Sequence, residues 1–140
     1  MQTLLVLLAA LSVSINADSA DDKLKRCCQT YRDQADATGK ECIDRFCTFR
    51  GMSGATVLNF LDKCGHSGTV VSNMFSCASS NVDHSECCKA AGVQDKCLLY
   101  CTTHHGAPSD YKAYSACVDD FDKIHNCFES YLETHPPVRE

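Results

Sequence analysis

Apolar side chains in the last third of the chain recur at the spacing of an amphipathic helix. They stand three or four residues apart, at Tyr114, Cys117, Phe121, Ile124, Phe128 and Tyr131. Acidic and amide side chains fill the positions between them, as on the solvated face of a helix. This pattern predicts a helix beyond Pro108, for which Ser109 can serve as the N-cap. If this helix is continuous, Cys117 and Cys127 lie about 15 Å apart along the axis, too far to bond to each other.

Weaker helical patterns cover the first half of the chain, over residues 22–35, 41–49, 55–62 and 70–78. The valine-rich run at residues 69–71 also suits a short strand. The sequence has no sustained alternation of apolar and polar residues, which is the mark of half-buried strands. The chain is therefore predicted to be all-α.

Short motifs mark where helices begin and end. Residues 38–41, Thr-Gly-Lys-Glu, have the form of a capping box. Residues 83–86 offer an Asp-headed equivalent, in which Asp83 is the helix N-cap and Glu86 its reciprocal acceptor. Gly92 suits the left-handed residue that ends the following short helix.

An apolar run at residues 4–13 has the length of a signal-peptide core and about half that of a membrane span. Residues 1–17 are therefore predicted to be a signal peptide, cleaved after Ala17 or, as the alternative, after Ser14. The mature protein is expected to be secreted, without a membrane span.

The cysteines form the same figure twice. Twelve of the 140 residues are cysteine, and each half of the pattern runs as a doublet followed by four single cysteines. Residues 27–77 and 87–127 are interpreted as related units of one domain at residues 27–128, flanked by residues 18–26 and 129–140. The sequence thus predicts an all-α, disulfide-rich small helical domain built from two related six-cysteine helical units.

An exported chain with an even number of thiols is expected to oxidise all of them. Six disulfides are predicted, with the pairing left open, among Cys27, Cys28, Cys42, Cys47, Cys64, Cys77, Cys87, Cys88, Cys97, Cys101, Cys117 and Cys127. Neighbours in a doublet are too close to bond, so each doublet should reach two separate partners. Cys97 and Cys101, one helical turn apart, should reach a common neighbour. The close pairs lack the Cys-x-x-Cys spacing of zinc and redox sites.

Several residues invite a catalytic or metal-binding interpretation, and each has a simpler structural one. His84 lies beside a cysteine doublet, as in secreted phospholipases A2, but the motif order differs and a Gly-rich calcium loop is missing. Ser67 beside His66 lacks the Gly-x-Ser-x-Gly form of a nucleophile elbow. Adjacent histidines on a loop, such as His104 and His105, rarely converge on one metal ion. No catalytic residue, cofactor or metal site is predicted.

The second half of the chain carries the residues of a known pattern. It contains Asp-His-x-x-Cys-Cys at residues 83–88, followed by Gly92-Val93, Cys97, Cys101, Cys117 and Cys127-Phe128. With all twelve cysteines, residues 27–128 resemble the DB module, a secreted domain known mainly from nematode proteins. The first half departs from that pattern through wider cysteine spacings. The resemblance implies six disulfides and an extracellular setting, and it implies no particular activity.

The formal net charge is -5 at pH 7, so nucleic acid is not expected as a partner. The expected function is that of a non-enzymatic, monomeric module that binds another extracellular protein through its polar loops at residues 65–69 and 102–110. Two alternatives stay open, an inhibitor of a secreted enzyme and a carrier of a small apolar ligand. The carrier would enclose its ligand among Phe60, Met74, Phe121, Ile124 and Phe128.

Overall fold

The computed structural model describes residues 18–103, 106–108 and 110–140, and at residues 111–114 only the main chain. Within these residues the regular structure is entirely helical, which confirms the predicted all-α class. In the described part of the chain six α-helices follow in order, α1 (Ala20–Gln29), α2 (Ala37–Phe46), α3 (Val57–Cys64), α4 (Val70–Ser79), α5 (Ser85–Ala90) and α6 (Phe121–Thr134). Segments of 3₁₀ helix lie at Arg32–Gln34, Asp95–Cys101 and Tyr111–Asp120. The predicted signal peptide, residues 1–17, lies outside the described residues.

Helix α1 begins and ends earlier than the predicted residues 22–35. Ser19 forms a capping box with Asp22: its hydroxyl accepts from the Asp22 N–H at 3.1 Å, and the Asp22 carboxylate accepts from the Ser19 N–H at 3.3 Å. These bonds lower the pKa of Asp22. After Gln29 the chain leaves the helix and makes the short Arg32–Gln34 turn. Residues 31–36 are therefore a connection between two helices.

Helix α2 is capped two residues before the predicted capping box at residues 38–41. The Asp36 side chain accepts from the Gly39 N–H at 2.6 Å, so Asp36 is the N-cap and Thr38 lies in the first turn. The predicted capping box is wrong because an equally good cap, a carboxylate, stands just upstream. Helices α3 and α4 begin and end close to the predicted boundaries, and the alternative strand at residues 69–71 is wrong.

Helix α5 stops just before Gly92, which takes the predicted C′ position. Gly92 has a φ of 84°, the left-handed conformation that glycine adopts without steric cost. Its N–H donates to the Lys89 carbonyl at 3.1 Å, and the Val93 N–H donates to the Cys88 carbonyl at 3.0 Å. These two bonds form a Schellman motif, which satisfies carbonyls at the end of the helix.

The segment predicted to be a helix beyond Pro108 is helical, but it is divided in two and is not one continuous α-helix. Tyr111–Asp120 is a 3₁₀ helix, and α6 begins at Phe121. Apolar spacings of three and four residues do not distinguish the two helix types clearly, because side chains three apart also align on a 3₁₀ helix. At the junction Asp120 is bonded to a distant residue, Gln94, and such tertiary contacts override local preference. The predicted cap, Ser109, lies outside the described residues.

All twelve cysteines lie in the described residues, and they form six disulfides with no free thiol. Counted within each unit, cysteines one and six, two and four, and three and five are joined in both. The pairs are Cys27–Cys77, Cys28–Cys47 and Cys42–Cys64 in the first unit, and Cys87–Cys127, Cys88–Cys101 and Cys97–Cys117 in the second. None of these bridges joins one unit to the other. The identical pairing supports the interpretation of two related units.

The predictions about which cysteines bond to each other are confirmed in part. Each doublet reaches two separate partners, and Cys117 and Cys127 bond elsewhere, not to each other. The expectation of a common neighbour for Cys97 and Cys101 is wrong, because Cys97 bonds to the Tyr111–Asp120 segment and Cys101 to α5. Both lie on a 3₁₀ helix, in which residues four apart do not share a face.

One aromatic core joins the two units. The Phe75 ring of α4 lies 6.4, 6.2 and 6.5 Å, centroid to centroid, from Phe60, Tyr100 and Phe121. All four side chains are buried, and they come from both units. The units therefore share a core and form one domain. None of the helices in the described ranges combines the length and the apolar character that a membrane span requires.

Candidate functional site

A groove opens on the first unit between the connection that follows α1 and the start of α4. Its volume is about 340 Å³, near the lower end of the range of about 300–1,000 Å³ for ligand pockets. Two short stretches line it, with Tyr31, Gln34, Ala35 and Asp36 on one side and Ser67, Gly68, Thr69, Val70 and Asn73 on the other. The second stretch overlaps residues 65–69, one of the two loops predicted to make contacts. We call this feature the first-unit groove.

The first wall of the groove is the α1–α2 connection, residues 31–36. Its beginning is fixed directly after the first doublet, where the Tyr31 N–H donates to the Cys28 carbonyl at 3.0 Å. Its end is fixed by Asp36, which caps α2 through the Gly39 N–H. A disulfide-bonded cysteine and a helix cap thus hold this wall at both ends.

The second wall is the turn into α4. Gly68 has a φ of 62°, in the left-handed region that favours glycine. Beyond it the Val70 N–H donates to the Ser67 carbonyl at 3.3 Å. In the first turn of α4 the Asn73 side-chain amide donates to the Thr69 hydroxyl at 3.1 Å. Hydrogen bonds within this wall therefore hold its shape independently of the opposite wall.

The two walls approach each other closely at Gly39. This residue is buried in the first turn of α2, and a Cβ placed on it would stand 2.8 Å from Cγ2 of Val70 and 2.9 Å from Cβ of Ala35. Only a residue without a side chain lets the start of α2 come this near to the start of α4. This contact brings the start of α2 against Val70, one of the residues that line the first-unit groove.

The second unit has a counterpart of this groove, because it also places the start of its last helix against the connection after its doublet. Side chains bridge that counterpart. The Asp120 carboxylate accepts from the Gln94 N–H at 3.0 Å and from Gln94 Nε2 at 3.2 Å. Lys123 donates from Nζ to the Gly92 carbonyl at 3.3 Å and to the Asp120 carboxylate at 3.2 Å. The chain closes this place with its own polar groups.

Asp120 is ionised in this bridge. Burial raises the pKa of its carboxyl group, but the hydrogen bonds from Gln94 and the neighbouring Lys123 ammonium lower it by more. The net effect is a pKa below the ordinary value for aspartate. The bridge is therefore held by a carboxylate and an ammonium group at neutral pH.

In the first unit the positions of Asp120 and Lys123 are taken by Val70 and Asn73. Each pair stands seven and four residues before the last cysteine of its unit. Valine cannot form a polar bridge, and Asn73 bonds within its own wall. Among the described residues no hydrogen bond or ion pair links one wall of the groove to the other. The first-unit groove is open where its counterpart is bridged.

Tyr31, at the rim of the groove, already contacts a guanidinium group. Cζ of Arg139, in the C-terminal tail, lies 4.4 Å from the centroid of the Tyr31 ring, within the cation–π range of about 6 Å. The adjacent Glu140 pairs with Arg26 of α1 at 3.4 Å. The tail after α6 therefore lies along α1 and reaches the edge of the groove.

His84, the residue considered for catalysis, is a buried structural side chain. Its Nε2 lies 2.7 Å from the Ser79 carbonyl oxygen, and because a carbonyl only accepts, Nε2 is the donor. The ring packs against Phe128 and Tyr131 at centroid distances of 5.0 and 5.3 Å. Its main-chain N–H donates to the Cys101 carbonyl at 2.9 Å. His84 therefore ties the segment between the two units to the core of the second.

The predicted N-cap of α5 is displaced by one residue. Helix α5 begins at Ser85, and His84, not Asp83, occupies the N-cap position. The Asp83 carboxylate accepts from the Ser85 N–H at 2.8 Å, so it serves the helix from one residue further out. Glu86 then stands at the second helical position, one short of the place that a capping-box acceptor needs. The buried ring of His84 fixes this register.

Other residues considered for contact or metal binding do not gather at the groove. In the second predicted contact loop, residues 102–110, Thr103 is buried, and His104, His105 and Ser109 lie outside the described residues. In the part of the chain that the structure describes, no group of three or more His, Cys, Asp or Glu side chains is placed to hold a metal ion. The side chains expected to surround an apolar ligand are buried in the shared core and do not line the groove, namely Phe60, Met74, Phe121, Ile124 and Phe128.

The sequence did not single out the first wall of the groove. Tyr31 and Gln34 fall inside the predicted helix at residues 22–35, and Asp36 lies outside every predicted element. Asp36 offered one usable signal, because aspartate is among the preferred N-cap residues. Recognising it would have ended the first helix earlier and left an exposed connection before α2.

A family model for the DB module matches residues 27–128. Searches among curated proteins and among solved structures found no match to this chain. The matched stretch contains all twelve cysteines, both units and the whole first-unit groove. Together with the six disulfides, it fits a small extracellular domain stabilised by cross-links. This chain belongs to the DB module family.

Proposed function

We propose that this chain is a secreted, non-enzymatic, monomeric domain that binds another extracellular protein through the first-unit groove. The observation that carries the proposal is the contrast between the two units. The second unit closes its counterpart with Asp120 and Lys123, whereas the first unit leaves polar groups exposed in an open groove. Disulfides hold both walls, so a ligand would bind with little loss of conformational freedom.

The chemistry of the lining groups supports a polypeptide ligand. Gln34 and Asn73 supply side-chain amides, and Ser67 and Thr69 supply hydroxyls, all of which form hydrogen bonds with peptide groups. Tyr31 adds an aromatic ring of the kind enriched at protein interfaces. Histidine and cysteine are missing from the residues that line the groove, so it lacks an activated nucleophile of the common types. These features favour binding over catalysis.

Photo-crosslinking tests the proposal. A photoreactive phenylalanine analogue replaces Asn73 in the groove, and in a matched protein it replaces Leu58, an exposed residue of α3. Both oxidised proteins are incubated with extracellular fluid from the source and irradiated. We expect a discrete crosslinked protein from the Asn73 position only. The same products from both positions, or none from Asn73, would contradict a binding role for the groove.

The loop at residues 102–110 remains a second proposed part of the binding surface. Replacing its residues by alanine, apart from the buried Thr103 and from Gly106, whose φ of 109° favours glycine, is expected to weaken the Asn73 crosslink without unfolding the domain. Unchanged crosslinking would remove this loop from the surface.

A further inference from the structure

We propose that the first-unit groove receives an arginine side chain of the partner, with Asp36 as the counter-charge. This inference rests on the proposed binding function and names the chemistry that the groove recognises.

Asp36 is the one formally charged residue among those that line the groove. One of its carboxylate oxygens, Oδ1, accepts from the Gly39 N–H at 2.6 Å as the cap of α2. Its other oxygen has no hydrogen-bond partner within the described residues. Asp36 is exposed, so a cation that enters the groove can reach this oxygen. The cap bond holds the carboxylate in place before any ligand arrives.

The neutral groups of the groove add acceptors. Asn73 donates from Nδ2 to Thr69, which leaves its carbonyl oxygen as an acceptor without a partner in the described part of the chain. The Gln34 side chain likewise makes no hydrogen bond there, and it is exposed. A guanidinium group has five N–H donors in a planar fork and no acceptor. It can therefore bond to the carboxylate and to the amide oxygens together, whereas a carboxylate ligand would be repelled by Asp36.

The second unit shows a cation in the corresponding place. There Lys123 lies between the Asp120 carboxylate and the Gly92 carbonyl. In the first unit Val70 and Asn73 stand at the positions of Asp120 and Lys123, and the carboxylate, Asp36, lies on the opposite wall. The residues that line the groove include this carboxylate and neutral acceptors but no cation. At the rim, Arg139 already stacks on Tyr31, which shows that this wall accommodates a guanidinium group. These contacts favour arginine over lysine as the side chain that a partner inserts.

The test uses the oxidised, full mature protein and the probe N-acetyl-arginine methylamide, followed by NMR chemical-shift titration of the backbone amides. The neutral isostere N-acetyl-citrulline methylamide is the ligand control. We expect saturable shifts at residues 31–36 and 67–73 with the arginine probe, and weaker binding by about fivefold or more with the citrulline probe. Equal binding of both probes, or no shifts at these residues, would overturn the inference.

Two variants separate a specific counter-charge from general electrostatics. Asp36→Asn removes the charge and keeps a good N-cap, so α2 should stay folded. Asp33→Asn is the matched control, because Asp33 is exposed in the same connection but does not line the groove. Asp36→Asn should weaken arginine binding about fivefold, and Asp33→Asn should change it less than about twofold. Equal losses in the two variants would count against Asp36 as the counter-charge.

The outcome is distinct from that of the crosslinking experiment. A crosslink from Asn73 together with failure of the arginine probe would overturn this inference and leave the binding function in place. Absence of the crosslink would overturn the binding function itself.

Discussion

Lys23 of α1 donates a hydrogen bond from Nζ to the main-chain carbonyl of Leu132 in the last turn of α6, at 2.8 Å. The same ammonium group also reaches the carbonyls of Glu133 at 3.2 Å and His135 at 3.0 Å. The last carbonyls of a helix lack partners within it and carry partial negative charge. One lysine from the first helix thus caps the last helix, and it joins the two ends of the domain without a covalent bond.

Substitution of Lys23 should weaken the domain measurably. Lys23→Met removes the three donated bonds, leaves the carbonyls to water and should lower the free energy of unfolding by about 1–2 kcal/mol. Lys25→Met is the control, because Lys25 is an exposed residue of the same helix. Urea unfolding of the oxidised proteins measures both. Equal stability of the two variants would show that the lysine cap contributes nothing beyond its charge.

Disulfide mapping should find the same pairing order in both units. We expect proteolytic fragments of the unreduced protein to contain the bridges Cys27–Cys77, Cys28–Cys47 and Cys42–Cys64, and Cys87–Cys127, Cys88–Cys101 and Cys97–Cys117. Mass spectrometry after limited digestion identifies the pairs, provided that cleavage within each doublet separates its two bridges. A bridge between the two units, or a free thiol, would refute the pairing.

The Asp120 bridge should make stability fall in acid. Its folded-state pKa is lowered, so the stabilisation is complete above the ordinary aspartate pKa of about 4 and is lost as the pH falls through the lower folded value. Asp120→Asn should be less stable at pH 7 and should lose less stability than the parent between about pH 4 and 2.

Other carboxylates also have lowered pKa values in the folded protein, namely Asp22, Glu41 and Asp44. They are present in both proteins, so the difference between the two stability curves isolates Asp120. Parallel curves over the acid range would mean that Asp120 is not held as a carboxylate by Gln94 and Lys123.

His84 should prove essential for stability. His84→Ala removes the bond to the Ser79 carbonyl and leaves a cavity beside Phe128 and Tyr131, so we expect a loss of about 2–3 kcal/mol in the free energy of unfolding. The exposed His66 is the control, and His66→Ala should change stability by less than about 0.5 kcal/mol. Thermal unfolding followed by circular dichroism distinguishes them. A fully stable His84→Ala protein would reopen the question of a chemical role for this residue.

Features that are set by residues close together in the sequence could be predicted from it. The helical class and the stop at Gly92 follow from spacing and from the conformational freedom of glycine, and the structure confirms both. The predictions fail where a distant side chain decides. Gln94 holds Asp120 at the junction before α6, and the buried ring of His84 sets the start of α5. Neither contact leaves a trace in the local pattern.

For the same reason, the sequence predicted one wall of the first-unit groove and not the other. Residues 65–69 are polar and glycine-containing, so a surface turn is expected there. The opposite wall, residues 31–36, comes beside that turn through distant contacts, among them the Cys27–Cys77 bridge between α1 and α4 and the approach of Gly39 to Val70. Twelve cysteines allow too many pairings for the sequence to reveal which loops face each other.

Every disulfide joins two cysteines of the same unit. The peptide backbone around the exposed Asn81 is therefore the only covalent connection between the two units. A protease that cut this stretch would produce two peptides, each with three internal disulfides. The shared core would keep them associated under native conditions, and denaturant would separate them at once. A denaturing gel run without reductant would then show two fragments after a single cleavage, although all six disulfides remain intact.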